Sequence, residues 1–323
     1  MMNHLYIDHP GSQIGVRHNQ LVVRKTDGQE LCYPLQQVQR VTVTTQAHFS
    51  GAAINALFHQ GIPTAFCSAS GYLRGHLQPA SNGHGQVQRR AAQYHLMQQV
   101  ATEPLMAKGL VVAKIRNQQR VLGDWELPQA DGMAIYAEKA ARARSLETLR
   151  GYEGQAAKHY FAGLAAKLTA TPFAFPGRQR PATDPVNAVL SFGYALLQSE
   201  FASAVDHYGM DRFAGFFHAS DGSQPALILD LMEPFRPLAD RLAVRLLSTQ
   251  LKPTDFVLNN GQCRLQDGSR GHYLKAWEQL MQQVKLWGGE QSSYRHLIGR
   301  HTGQWAQYLD GHAAEPRWWR LSG

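Results

Sequence analysis

Residues 149–168 read LRGYEGQAAKHYFAGLAAKL, and the rest of the chain is best read outward from this run. Ala156, Ala157, Tyr160, Phe161, Leu164 and Ala165 recur at the three- and four-residue spacing of one helical face, which predicts an amphipathic helix over Tyr152 to Leu168. Glu153 falls on the same stripe. A carboxylate carried into a core loses its hydration unless a cation or strong donors replace the water. The helix therefore belongs to a packed helical layer, and something in that layer must face Glu153.

Downstream and upstream of this run the pattern differs. From about Arg89 onward the apolar spacing predicts helices over Arg89 to Gln119, Met133 to Leu149, Pro185 to Tyr208 and Pro234 to Leu247. Before it, short alternating or β-branched runs occur at Leu5–Ile7, Ile14–Arg17, Leu21–Arg24, Leu31–Tyr33 and Val38–Thr44, separated by the turn words HPGS, HNQ and TDGQ. A helix over Ser50 to His59 and strands at Thr64–Phe66 and Leu73–Leu77 complete that part. The expected architecture is α+β: a small strand-rich domain over residues 1–78, a Gly- and Asn-containing linker over 79–88, and a larger all-helical domain over 89–323. At 323 residues and 44% hydrophobic content, both can build substantial cores.

Other acids interrupt apolar sequence. In LILDLMEPFRP, Asp230 stands three residues before Glu233, a spacing that puts both on one side of a helical turn. Two neighbouring carboxylates repel, and either one pKa rises or a divalent ion relieves the repulsion. His218, in GFFHASDG, lies twelve residues before Asp230 and can return to the same place through a turn at Asp221, Gly222, Ser223 and Pro225. Carboxylate oxygens with one imidazole suit Mn²⁺ or Mg²⁺ better than a closed thiolate zinc site, so an open, catalytic centre is expected. Each residue also has a plain structural reading. Glu153 could be a partnered core acid, His218 is one of fifteen histidines, and Asp230 and Glu233 could open a helix beside Pro234 and Pro237.

The formal charge of +8 and a pI near 9.5 favour an anionic partner. Residues 1–90 hold seven Lys or Arg against three Asp or Glu, so half of the excess lies there and no basic tail carries it. Placed clusters must act instead. Lys139, Arg142 and Arg150 are expected to share a helical face close to Glu153, and Arg178 and Arg180 lie in the Pro-rich PGRQRPATDP before a helix starting near Asp184. For both clusters a solvated surface is the alternative. Cys32, Cys67 and Cys263 form no CxxC pair, which excludes a disulfide framework and suits a reducing cytoplasm. With no signal-like start and no apolar run near the roughly 20 residues of a membrane helix, a soluble intracellular protein is expected. No Gly-rich nucleotide loop occurs, so ATP is not implied.

Four words, GYEGQAAKHYF, RQRPATDPVNAVLSFGYALL, GFFHASDG and LILDLMEPFRPLADRLAV, resemble in order and spacing the CRISPR-associated endonuclease and integrase family Cas1, and the resemblance covers nearly the whole chain. It implies a metal held by Glu153, His218 and Glu233, with Asp230 at an acidic position of the same site. Some members of the family carry Asp where this chain has Glu233. The resemblance further implies a homodimer formed through the strand-rich domains, two such dimers bridged by the small Cas2 protein, and DNA contact by the basic clusters. The implied task is integration of short spacer-precursor DNA into a CRISPR repeat by 3′-OH transesterification, with cleavage when water is the nucleophile.

Two other functions fit the residues alone: a catalytically inert DNA-binding scaffold, whose acids would be structural, and a metallophosphoesterase acting on small esters. Ser191 has no evident His and Asp relay, which argues against a serine hydrolase. Asn187 and Tyr194 could line a cleft or simply build a core helix, and Trp287, Trp305, Trp318 and Trp319 could stack bases or pack inside. The final PRWWRLSG is either a tail that docks in an assembly or a frayed end.

Overall fold

The computed structural model describes residues 3–68, 71, 73–77, 86–100, 104–218, 222, 224–287 and 289–321. Its amino-terminal part comprises β1 (Asn3–Ile7), β2 (Ser12–Arg17), β3 (Gln20–Arg24), β4 (Glu30–Pro34), β5 (Val38–Val43), β6 (Ala47–Phe49), α1 (Gly51–His59), β7 (Thr64–Cys67) and β8 (Leu73–Leu77). One sheet has the order β1-β5-β7-β8, parallel except for β7 with β8; the other has the order β4-β3-β2-β6, with β6 added parallel to β2. Arg17 pairs with Gln20, so His18 and Asn19 alone make the hairpin turn. Both are left-handed, with φ of 48° and 60°, the geometry that matches the twist of flanking strands. Leu5, Ile7, Ile14, Leu21, Val23, Val41 and Val43 from the two sheets and Leu57 from α1 close one core between them.

The second part begins with α2 (Gln86–Val100), α3 (Leu105–Asp124), α4 (Gln129–Ala141), α5 (Leu146–Leu168), α6 (Pro185–His207), α7 (Ala226–Met232) and, after one 3-10 turn at Glu233–Phe235, α8 (Arg236–Thr249). It continues through β9 (Phe256–Asn259), β10 (Gln262–Leu265), α9 (Asp267–Gln282), β11 (Val284–Trp287), β12 (Glu290–Ser293) and α10 (Tyr294–Leu309). This part is mainly helical, as expected, but it also carries two antiparallel hairpins, β9–β10 and β11–β12, that the helical patterning did not announce. Helix α6 is buried along most of its length and contacts α7, α8, α10, β8 and β10. Asp184 caps it by accepting from Asn187 N, and Pro185 stands at its first turn, where a missing N–H costs nothing.

Several expected boundaries move. The run Arg89 to Gln119 is divided between α2 and α3, with 101–103 outside the described residues. The run Met133 to Leu149 is broken, because α4 ends at Ala141 and the Ser145 side chain accepts from Thr148 N to start α5 afresh. Of the expected linker, residues 79–85 lie outside the described residues, and 86–88 already belong to α2. The expected turn residues Asp221 and Ser223 also lie outside them, as does the side chain of Trp287.

A polar seam joins the sheets to the helices. Buried Glu200 on α6 pairs with Arg40 of β5 and with Arg295 of α10 at 2.9 Å, and Tyr6 of β1 donates to Glu278 of α9 at 3.3 Å. The carboxyl terminus docks on its own chain. Trp319 stacks on Phe235 at 4.2 Å between ring centres, Asn117 Nδ2 donates to Trp319 O, and Leu321 N donates back to Asn117 Oδ1. Through Leu321 the end is therefore packed and not frayed, and Ser322 and Gly323 lie outside the described residues. Among the described residues no helix is long and apolar enough to cross a membrane.

Candidate metal centre and the basic cavity beside it

Asp230 organises the site. It lies near the end of α7, fully buried, so it is not an acid opening a helix. Its Oδ2 accepts from the backbone N–H of Phe216 at 2.6 Å and of Phe217 at 3.0 Å. Its Oδ1 accepts from His218 N at 3.0 Å and lies 2.6 Å from His218 Nδ1. One carboxylate thus pins residues 216–218 and fixes the imidazole by its Nδ1 edge. That leaves Nε2 as the outward-facing nitrogen, the arrangement by which an outer carboxylate orients a ligating histidine. Gly215 permits the approach, since a Cβ there would stand 2.7 Å from both Ala226 Cβ and Asp230 Oδ2.

Glu233 sits at the join of α7 and α8, where Pro234 tightens the chain into a 3-10 turn and turns the side chain toward α3 and α5. Its Oε1 is 2.8 Å from Arg236 Nε and 3.7 Å from His218 Nε2, and its Oε2 is 2.7 Å from Lys114 Nζ. Burial alone would raise its pKa, but the charges of Arg236, Lys114 and His218 outweigh it and hold the carboxyl at about 2. Glu153 reaches the same place from α5 and accepts from Lys114 Nζ as well. Its side chain is 21% exposed against 3% for Glu233, so it stands at the rim of the helix face and not deep within it. Burial would lower the Lys114 pKa, yet Glu233 and Glu153 together raise it above the usual lysine value, so the group stays charged.

Glu153 and Glu233 are therefore joined through Lys114, Glu233 Oε1 lies near His218 Nε2, and Asp230 stands behind His218. Among the described residues no three acid, His or Cys side chains stand at preassembled metal-holding distances, because the Lys114 ammonium lies between the two glutamates. The donors still fit a divalent ion of the Mg²⁺ or Mn²⁺ type: two hard carboxylates already share one cation, an imidazole nitrogen lies 3.7 Å from the second of them, and Glu233 Oε2, fully enclosed, receives no well-aligned hydrogen bond.

The basic residues divide. Lys139, in the last turn of α4, Arg142, at its C-cap, and Arg150, on α5, do not share one helical face, because the chain breaks between the two helices. Arg150 alone touches the site, donating to Phe217 O at 2.6 Å with its guanidinium 5.7 Å from the centre of the Phe217 ring. Arg178 and Arg180 line a cavity of about 520 Å³ together with Arg236, Arg264 and Tyr194. Among the described residues no Asp or Glu lines it. Arg236 belongs to both places, so the cavity adjoins Glu233 directly. Burial first, then the neighbouring Arg236 and Arg178, push the Arg180 pKa down to about 10, which still leaves it charged at neutral pH. Four arginines facing one cavity favour an anion there.

Tyr194 holds two of these arginines. Arg178 and Arg236 stand 5.4 and 4.7 Å from its ring centre, and its hydroxyl donates to Asp240 Oδ1 at 2.5 Å while Tyr160 donates to Oδ2 at 3.0 Å. Burial raises the Asp240 carboxyl to about 6, only partly offset by the two tyrosines and Arg236. Asn187 is a buried brace: its Oδ1 accepts from Arg178 and Gln179 N, and its Nδ2 donates to Gly177 O. Trp305, Trp318 and Trp319 pack around Phe216, Phe235 and His301, behind the segments that carry His218 and Glu233.

Lys114, Arg236 and Asp240 were missed from sequence. Lys114 carried the same signal as Glu153, a charge among Leu110, Val111 and Ile115 on a buried helix face, and could have been found by the same reasoning. Arg236 lies three residues after Glu233, a spacing at which helical side chains meet.

The family model described as "CRISPR associated protein Cas1" matches residues 5–279. The CRISPR-associated endonuclease Cas1 1 of Thermus thermophilus is 34% identical over 281 residues, covering 86% of each chain. The exonuclease Cas4/endonuclease Cas1 fusion of Rhodospirillum rubrum is 32% identical over 95% of this chain but only 56% of its own, so this chain spans just over half of the fusion. Among solved structures, a Cas1 protein from Thermotoga maritima superposes with a TM-score of 0.83 over 97% of this chain and all of that one, at 22% identity. A casposase bound to integration product gives 0.86 over 97% and 92% of the two chains, at 21% identity. The same fold thus recurs where sequence identity is low, and over 281 residues a third of the sequence is retained as well: this chain belongs to the Cas1 family of CRISPR-associated proteins.

Proposed function

We propose that the protein is a divalent-metal-dependent DNA endonuclease and integrase of CRISPR adaptation, joining the 3′-OH ends of short DNA fragments to a CRISPR repeat by transesterification. The observation that carries this reading is that Glu153, Glu233 and His218, from three separate segments, are linked through Lys114 and Glu233 beside an arginine cavity lined, among the described residues, by no acid. The names of the relatives point the same way: curated members are called endonucleases, and proteins of this fold have been solved with an integration product and in a Cas6-RT-Cas1–Cas2 complex.

Glu153, Glu233 and His218 would hold the Mg²⁺ or Mn²⁺ ion. When bound, such an ion polarises a phosphodiester and offsets the charge that grows on its oxygens. The chain's own residues do the rest. Asp230 keeps His218 Nε2 directed outward, and Arg236 stays seated between Glu233 and the cavity. Arg178, Arg180 and Arg264 grip DNA phosphates, and Arg150, Lys139 and Arg142 extend the basic track along the outer surface of α4 and α5.

The proposed assembly is a cytoplasmic homodimer that binds DNA and Cas2, with dimerisation through the strand-rich part, whose sheets end in the edge strands β1, β8, β4 and β6. Purified protein should transfer a DNA 3′ end into a repeat-containing plasmid with Mn²⁺, and better with Cas2. Glu153→Gln and His218→Ala should abolish transfer while DNA binding persists. Transfer that survives both changes would favour the inert scaffold, and turnover of small phosphate esters without DNA, weakly dependent on salt, would favour the phosphoesterase.

A further inference from the structure

Lys114 bridges two of the three proposed ligands. It projects from α3 with its side chain 11% exposed, between Glu153 on α5 and Glu233 at the α7–α8 join, and it contacts a carboxylate oxygen of each. No other cation bridges these two acids among the described residues. Arg236 engages the opposite oxygen of Glu233 and does not reach Glu153 within ion-pair distance. Without the ammonium, a fully buried carboxylate and a mostly buried one would face each other across a gap with little water, a costly arrangement at low local dielectric.

We infer that Lys114 is the resident counter-ion of the metal-free site and competes with the divalent ion for Glu153 and Glu233, so that it keeps the empty site assembled at the cost of weaker metal binding. The inference rests on the reading of Glu153, Glu233 and His218 as ligands. An ion that bonds both glutamates shares their oxygens with the ammonium. Either the lysine side chain moves aside or a dipositive ion and an ammonium stay in near contact, and each outcome lowers affinity. The consequence is a site that needs no metal to fold.

Isothermal titration of Mn²⁺ into the full chain tests this, using the parent, Lys114→Met, Lys114→Gln, Lys114→Arg and Glu233→Gln. Lys114→Met and Lys114→Gln should bind Mn²⁺ about tenfold or more tighter than the parent, equivalent to about 1.4 kcal/mol, and should melt at lower temperature without metal. Mn²⁺ should restore that loss. Lys114→Arg keeps the charge and should not bind more tightly than the parent. A merely structural lysine would not yield tighter binding when lost, so affinity in the neutral variants equal to or below the parent overturns the inference. If both neutral variants unfold without metal, recovery with Mn²⁺ supports it, and failure to recover overturns it because ion and ammonium would then not be interchangeable. Parent binding that Glu233→Gln abolishes, with Lys114→Met unchanged, removes this inference alone. No Mn²⁺ binding by parent or neutral variants removes it together with the ligand assignment.

Discussion

Asp230→Asn separates an orienting role from direct ligation. The carboxylate faces four donors: Phe216 N and Phe217 N on Oδ2, His218 N and the His218 Nδ1 edge on Oδ1. An asparagine keeps the shape but turns one oxygen into an NH₂ group, so whichever way the amide lies, at least one backbone N–H confronts a donor, since His218 Nδ1 can change tautomer and accept. A buried donor left unsatisfied costs about 1–3 kcal/mol, which is the least the substitution costs. With an unfolding entropy of about 2.1 cal/mol/K per residue, a chain of this length unfolding as one unit loses about 1.5 °C per kcal/mol, hence at least about 1.5–4.5 °C in Tm. Because the strand 216–218 carries His218, Mn²⁺ affinity should fall as well, by the about 10–100-fold typical of an orienting partner. Differential scanning calorimetry read beside metal titration checks both numbers. A Tm unchanged within about 1 °C together with lost metal binding would refute the argument and make Asp230 a direct ligand.

Arg178→Ala with Arg180→Ala should weaken duplex binding and shallow the slope of log affinity against log salt by up to about 1.8, since each phosphate contact contributes about 0.9; an unaltered slope returns both to a solvated surface. Asp240, held at about 6 in the fold against about 3.9 when unfolded, keeps a proton that the unfolded chain has released. Its contribution to stability is full below about pH 4 and is lost as pH rises through about 6, so Asp240→Asn should flatten the fall in Tm across that window, and an unchanged profile would refute the assignment. Trp319→Ala removes a 2%-exposed ring stacked on Phe235, two residues from Glu233, and should cost about 3–5 kcal/mol in chemical denaturation; a loss under about 1 kcal/mol would show that the terminus does not dock in solution.

Periodicity carried the strands well because alternation on two-residue spacing survives in each short segment. It missed β6, three residues long, and both hairpins of the helical part, where four-residue strands such as Phe256–Asn259 are too short to show a period. It also fused α4 with α5. The apolar spacing continues across the break, and only the Ser145 cap, a single hydroxyl, marks the restart. At the site, Glu153 and Glu233 were legible as carboxylates interrupting apolar sequence. Lys114 carries the same signal, a charge among apolar residues of a buried helix face, although a lysine so placed is commonly a solvated one.

The sequence by itself determined the α+β order of the chain, the basic balance and the identity of the acids and imidazole, all of which are local properties of composition and spacing. Only the tertiary structure decided which side chain faces which. It set Asp230 against three backbone N–H groups and His218, placed the Lys114 ammonium between Glu153 and Glu233, and opened the cavity shared by Arg178, Arg180 and Arg236. These contacts join residues 12 to about 120 positions apart, and their energies depend on distance and burial, which no window of sequence contains.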